Sequence, residues 1–186
     1  GIKMARTIPI DPILEKGYNV RLLVEDFDGL IEKWSNRSEK FRETVDSSLD
    51  CQYGSGEKDK LDIFRCGKPN APLFIFIHGG YWQRGDKSVY SFVAESFVNS
   101  GIDVALIGYQ LCPSASMTNI VDKIREAVIW IWDNADDYAI SKNRINVSGH
   151  SAGGHITGMI LATDWKEISE ELPSDIVKTG IPISGL

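Results

Sequence analysis

Histidine, cysteine and methionine are scarce in this chain, with three of each among 186 residues. Cys51, Cys66 and Cys112 are odd in number and far apart, and no two stand at metal-ligand spacing. Neither a disulfide framework nor a zinc centre can be read from them. Thiols used this way suit a reducing, cytoplasmic compartment. His78, His150 and His155 form no metal set, since the last two are five apart and no H-E-x-x-H occurs. Long apolar runs are missing as well. The longest, 73–77 and 127–132, are far shorter than the roughly 20 residues a membrane-spanning helix needs. No apolar core follows a basic start in the manner of a signal peptide, and Gly1 in place of Met fits a processed start. Positive charge is in deficit, 20 Lys+Arg against 26 Asp+Glu, for a net charge of −6. That balance argues against a nucleic-acid or anionic-membrane partner. A small-molecule substrate remains as the expected partner, and a homo-oligomer is left open. There is no internal repeat and no low-complexity tract.

What is present is enough apolar sequence for the core of one domain, 42% hydrophobic and 10% aromatic residues. Residues 1–48 are expected to form an irregular arm followed by an amphipathic helix, whose inner face carries Leu30, Ile31, Trp34, Phe41 and Val45. The main body is expected over 49–186. Residues 49–53 and 60–65 read as a hairpin around Ser55-Gly56-Glu57-Lys58-Asp59. Leu73-Phe74-Ile75-Phe76-Ile77 has no alternation and reads as a parallel strand covered on both faces, and 102–107 as a second. Asp86 or Ser88 is expected to cap the helix between them. Asn119 is expected to cap a long helix with Ile120, Ile124, Ala127, Val128, Ile131 and Ala135 inward and its charges on a solvated face. A strand at 145–147, a helix after it and a strand at 176–184 complete the pattern. The order predicts an α/β fold with a mostly parallel sheet, an N-terminal antiparallel hairpin and helices on both faces. Trp34, Trp130, Trp132 and Trp165 are expected as core or surface anchors.

Two stretches carry chemistry. Gly149-His150-Ser151-Ala152-Gly153 matches G-x-S-x-G, after a β-branched strand and before residues at helical spacing (Ala152, Ile156, Met159, Ile160, Thr163). A Gly-rich turn with an exposed serine would show the same five residues, so the weight lies in that context. It is the context of a nucleophile elbow, where a sharp strand-to-helix turn lifts a serine hydroxyl clear of the sheet. The helix N-terminus behind it favours developing negative charge. The second stretch is His78-Gly79-Gly80-Tyr81-Trp82, at the carboxyl end of a buried parallel strand. Active sites of open α/β sheets lie at that edge. Serine attack on an acyl carbon makes an oxyanion that needs fixed donors, each worth about 2.7–4 kcal/mol in the transition state. Gly79 and Gly80 let backbone N–H groups approach without a Cβ in the way, and Ala152 supplies another. Tyr81 and Trp82 are pocket walls or core packing, an open choice at this point. None of His78, His150 and His155 is well placed as a base, and His78 is expected to shape the backbone around it.

With His78-Gly79-Gly80, Tyr109-x-Leu111-x-Pro113 and Gly149-x-Ser151-Ala152-Gly153-Gly154, the chain resembles the α/β-hydrolase superfamily in its hormone-sensitive-lipase-like branch. Within that branch, Tyr81-Trp82 and His155 are similar to kynurenine formamidases (arylformamidases), in which a Trp ends the oxyanion motif. The resemblance runs from about residue 53 to 186. It implies a cofactor-free, metal-free hydrolase of tryptophan catabolism that attacks the formyl carbon of N-formyl-kynurenine. Ser151 would be the nucleophile, Gly79, Gly80 and Ala152 the oxyanion hole, and Tyr81 and Trp82 the surroundings of the aromatic substrate. A general small-acyl carboxylesterase and a non-catalytic α/β-hydrolase-like module or inactive fragment are the alternatives. In the superfamily the acid and the histidine follow the serine along the chain, so both are expected beyond Leu186, with the fold truncated at its C-terminus and Asp164 and Asp175 too early to serve.

Overall fold

Strands without polar alternation fit only where both faces are covered. The computed structural model, which describes residues 27–77, 87–109, 117–150 and 152–183, places the two such runs at the centre of a six-stranded sheet. They are β3 (Leu73–Ile77) and β4 (Asp103–Ile107), buried at every residue. The chain enters through α1 (Phe27–Thr44) and forms the hairpin β1 (Asp46–Gln52) and β2 (Lys60–Arg65) before reaching β3. A 3-10 helix (Lys87–Val93) and α2 (Ala94–Asn99) lead to β4. Then come α3 (Met117–Asn134), β5 (Ile145–His150), α4 (Ala152–Leu161), the short α5 (Trp165–Ile168) and β6 (Val177–Ile183). The strand order is β1-β2-β4-β3-β5-β6. β1 and β2 pair antiparallel, as do β2 and β4, while β4, β3, β5 and β6 run parallel. The expected hairpin and four parallel strands are all there.

Register tells which helix covers which face, because paired residues on neighbouring strands point the same way. Phe64, Val104 and Phe74 form one row across β2, β4 and β3. Phe41 of α1 packs on Phe64 with ring centroids 5.4 Å apart, and Phe97 of α2 lies 6.1 Å from Phe74. The next row, Ile75, Val147 and Gly180 on β3, β5 and β6, faces the other way. There a Cβ on Gly180 would collide with Leu161 and stand 2.8 Å from Thr157 Cγ2, both on α4. So α1 and α2 cover one face and α4 the other. α3 is tied to the turn just after α4 by Arg125 Nε, which donates to Thr163 Oγ1 at 3.0 Å.

α1 is bound into the body along the face its spacing predicts. Trp34 and Phe41 are buried, with Leu30, Ile31 and Val45 packed beside them. Trp34 lies against Tyr90 and Phe92 of the 3-10 helix, at 5.8 and 5.6 Å between centroids. Trp165 is a core residue. Two caps differ from expectation. α3 begins at Met117, so Asn119 lies inside its first turn rather than at its cap. Ser88 lies within the 3-10 helix rather than ahead of it, and its carbonyl accepts from Arg42 and from Ser91 Oγ. Asp86 lies outside the described residues. No helix among the described residues is long and apolar enough to cross a membrane.

Candidate active site

β5 ends at His150 and α4 begins at Ala152, so strand and helix are separated by a single position, that of Ser151. β3 runs beside β5 with Ile77 opposite Gly149. The two strands therefore end level, and the chain positions that follow them, 78 onward and 151, leave from the same edge. The connections then diverge. From β3 the chain crosses by α2 to β4 on one side, and from β5 by α4 to β6 on the other, with α2 and α4 on opposite faces. Adjacent strands whose connections leave to opposite faces open a crevice at their carboxyl ends, where ligands of open α/β sheets bind. That crevice lies between β3 and β5. The chain positions that carry the two chemical stretches follow directly on strands that end level at this edge.

Ser151, Gly79, Gly80, Tyr81 and Trp82 lie outside the described residues, as do His78, Leu111 and Pro113. Ala152 is the first residue of α4, and Gly149 is buried at the end of β5. His155 is exposed on α4, and Tyr109 is buried. Register at the opposite end of the strands is locked by Asn146. Its Nδ2 donates to Leu73 O (3.3 Å) and Arg144 O (2.8 Å), and its Oδ1 accepts from Thr179 Oγ1 (2.7 Å). Ser148 Oγ, in the row of Phe76, is buried with no hydrogen-bond partner among the described residues.

Around the carboxyl edge stand buried charges that no motif or spacing points to. Lys87 opens the 3-10 helix, and its Nζ lies 2.9 Å from Asp62 Oδ1 and 2.6 Å from Asp50 Oδ1. Burial works against the Lys87 ammonium, but the two carboxylates outweigh it and hold its pKa above the ordinary lysine value. Burial raises the Asp62 carboxyl, whereas the hydrogen bond from Lys87 lowers that of Asp50. A second aspartate, Asp59 at the hairpin turn, is 2% exposed and accepts from Lys123 Nζ at 2.7 Å and from Gly56 N at 2.9 Å. Lys123 was expected on a solvated face of α3, but it reaches back to this carboxylate. Tyr53 Oη donates to Gly108 O at 2.6 Å, and burial pushes its phenol pKa up. No cluster of three or more His, Cys, Asp or Glu able to hold a metal occurs among the described residues.

Comparison with known proteins agrees with this architecture. The BD-FAE family model matches residues 61–178. The kynurenine formamidase of Danio rerio is 31% identical over 148 residues, covering 77% of this chain and 49% of that protein. The kynurenine formamidase of Salmo salar is 34% identical, covering 71% and 44%. The chain thus spans about half the length of these curated relatives. Among solved structures, a putative thioesterase from Silicibacter sp. TM1040 superposes with a TM-score of 0.64 at 33% identity, over 80% of this chain and 55% of that one. An esterase from Pyrobaculum calidifontis superposes at 0.62 with 22% identity, over 94% and 58%. With the family model matching well over half of its residues, on a sheet of this order, the chain belongs to the BD-FAE family and has the α/β-hydrolase fold.

Proposed function

We propose that this chain carries the nucleophile side of a serine hydrolase that acts on an aryl formamide such as N-formyl-kynurenine. The observation that carries the reading is the single-residue junction between β5 and α4, occupied by Ser151, level with the end of β3. The similarity to kynurenine formamidases supports the substrate class. In this reading Ser151 Oγ attacks the formyl carbon and gives its proton to a base. The carbonyl π electrons move to oxygen, and the N–H groups of Gly79, Gly80 and Ala152 hold the charge. The C–N bond then breaks, the arylamine leaves with a proton, and the formyl group stays on Ser151 as an ester. Water attacks that ester, the C–O bond breaks, and formate departs. Tyr81 and Trp82 line the aromatic side, and no cofactor is needed.

The test is hydrolysis of N-formyl-kynurenine by the full-length protein, beside formyl, acetyl and long-chain aryl esters. Formyl and acetyl substrates should turn over fastest, because Trp82 beside the oxyanion donors leaves little acyl room, and preference for long chains would refute that. Ser151→Ala should lower turnover by at least about a thousandfold, since triad members act as a unit. A general small-acyl carboxylesterase is the second reading. It is favoured by 30% identity over 127 residues to Esterase LipC of Mycobacterium tuberculosis, and faster turnover of aryl acetates than of the formamide would select it.

A further inference from the structure

Two strands of the sheet carry one extra residue each, with different results. In β1 it lies between Ser48 and Cys51, bends the strand through a left-handed Asp50 (φ 54) and brings that carboxylate to Lys87. In β6 it lies between Val177 and Gly180. Ile145 stands opposite Val177, but Val147 stands opposite Gly180. Without the extra residue Thr179 would hold that place, with its side chain turned to α4. Instead Thr179 faces the side of Asn146, where its Oγ1 donates to Asn146 Oδ1 at 2.7 Å. Asn146 is buried, and its Nδ2 is fixed on Leu73 O and Arg144 O.

The register shift thus sets a residue without a side chain under α4. A glycine inside a strand weakens it and often marks a place where another element comes close. A Cβ on Gly180 would run into Leu161 Cδ1 and stand 2.8 Å from Thr157 Cγ2. The two contacts differ. Leu161 is 43% exposed, and the end of its side chain can swing aside. Thr157 is buried, and its Cγ2 sits one bond from Cβ, so it cannot yield unless the helix does. Ordinary contact begins near 3.4 Å, so α4 would have to lift by roughly half an ångström or more. α4 runs unbroken from Ala152 to Thr157 and beyond, and a single position joins it to β5. A lift at Thr157 is therefore passed to the start of the helix, with little slack in the chain to absorb it.

We propose that Gly180 is a positioning residue for acyl transfer: it lets α4 seat close on β6, and so fixes where the N–H of Ala152, the first residue of α4, stands at the carboxyl edge of the sheet. An N–H at a helix start has no partner within the helix. In the serine-hydrolase reading above, on which this rests, that of Ala152 holds the oxyanion. A misplacement of about 1 Å costs on the order of a hundredfold in rate.

The experiment uses the full-length protein with 4-nitrophenyl acetate, measuring kcat and KM separately, the rate constant at which a fluorophosphonate labels Ser151, and the unfolding temperature. Gly180→Ala should lower kcat and the labelling rate constant together by roughly tenfold, with little change in KM. Adding Thr157→Ser removes Cγ2 but keeps the hydroxyl, and should return both most of the way to the parent values. If Gly180→Ala does not fold, Gly180→Ala/Leu161→Ala carries the test, since it removes the harder collision and keeps the contact with Thr157. It should show the same loss and the same recovery on adding Thr157→Ser. Unchanged kcat and labelling in the folded variant, or a loss that Thr157→Ser does not relieve, overturns the positioning role. Ser151→Ala separates the two claims. Activity that survives it overturns the serine-hydrolase reading, whereas its loss beside normal kcat in the Gly180 variants overturns the positioning role alone.

Discussion

Gly108 has room for a hydrogen and little else. A Cβ there would lie 2.9 Å from Lys60 O, which is pinned because Gly108 N donates to it at 2.8 Å, and it would also press on Lys87. Gly108→Ala should therefore cost about 1–3 kcal/mol, the usual range for overpacking, measured by urea denaturation. Gly67 is the contrast. It has φ +83 with nothing within 4 Å of a would-be Cβ, so Gly67→Ala should cost only the backbone term, about 1–2 kcal/mol. Single residues were also where the sequence was hardest to read. Asp62 follows Leu61 and precedes Ile63 in a run that looks like ordinary alternation, with its polar residue turned to solvent. It is 1% exposed, because α1 and the 3-10 helix cover its face. Nothing local announces a partner that arrives 25 positions later in Lys87. Asp164 is different. Three residues before Glu167 it has the spacing of a helix start, and its Oδ1 does accept the Glu167 N–H at 3.4 Å, capping α5.

Elements were easier to read than residues, because burial leaves a periodic mark. β2 and β3 have the bounds their residues predict, since five or six apolar-rich positions between turn residues allow few alternatives. The helix read over 26–46 is α1 within two residues at each end. Its spacing identified the apolar face, but not that Ser38 on that face is buried for its hydrogen bonds to Val89 and Phe92. Ser38→Ala leaves two backbone groups of the 3-10 helix unpaired in the interior and should cost about 1–3 kcal/mol. Hydrogen exchange should show the loss concentrated at Val89–Phe92 and not spread through α1. The same bonds explain why this stretch, expected as a regular helix, winds as 3-10 before α2: part of its bonding comes from another element.

At the scale of the whole molecule, several groups hold their protons more tightly in the fold than outside it. Burial raises Tyr53 and Cys51, and carboxylate partners raise Lys87 and Lys123. For each, the stabilising contribution is complete below the unfolded pKa and is lost as pH climbs through the folded one. Unfolding temperature should thus hold to about pH 9 and then fall with growing slope past the ordinary tyrosine and lysine values, and Lys87→Met should make that fall shallower. The acid side is less one-sided, because the lowered Asp50 and the raised Asp62 act in opposite directions. Sheet order, unlike the bounds of β2 and β3, left no local mark, since nothing in β3 says that β4 and β5 will flank it. The bend in β1 has one more consequence. β1 lies at an end of the described sheet, with Leu49 45% exposed. A straight strand there would offer an unbroken row of free N–H and C=O groups to a neighbouring molecule. The extra residue and the left-handed Asp50 break that row after Ser48 and set a carboxylate in it, as blunted edges do. Deleting Asp50 would straighten the strand, and light scattering on mild heating should then show the molecules joining edge to edge into aggregates that the parent protein does not form.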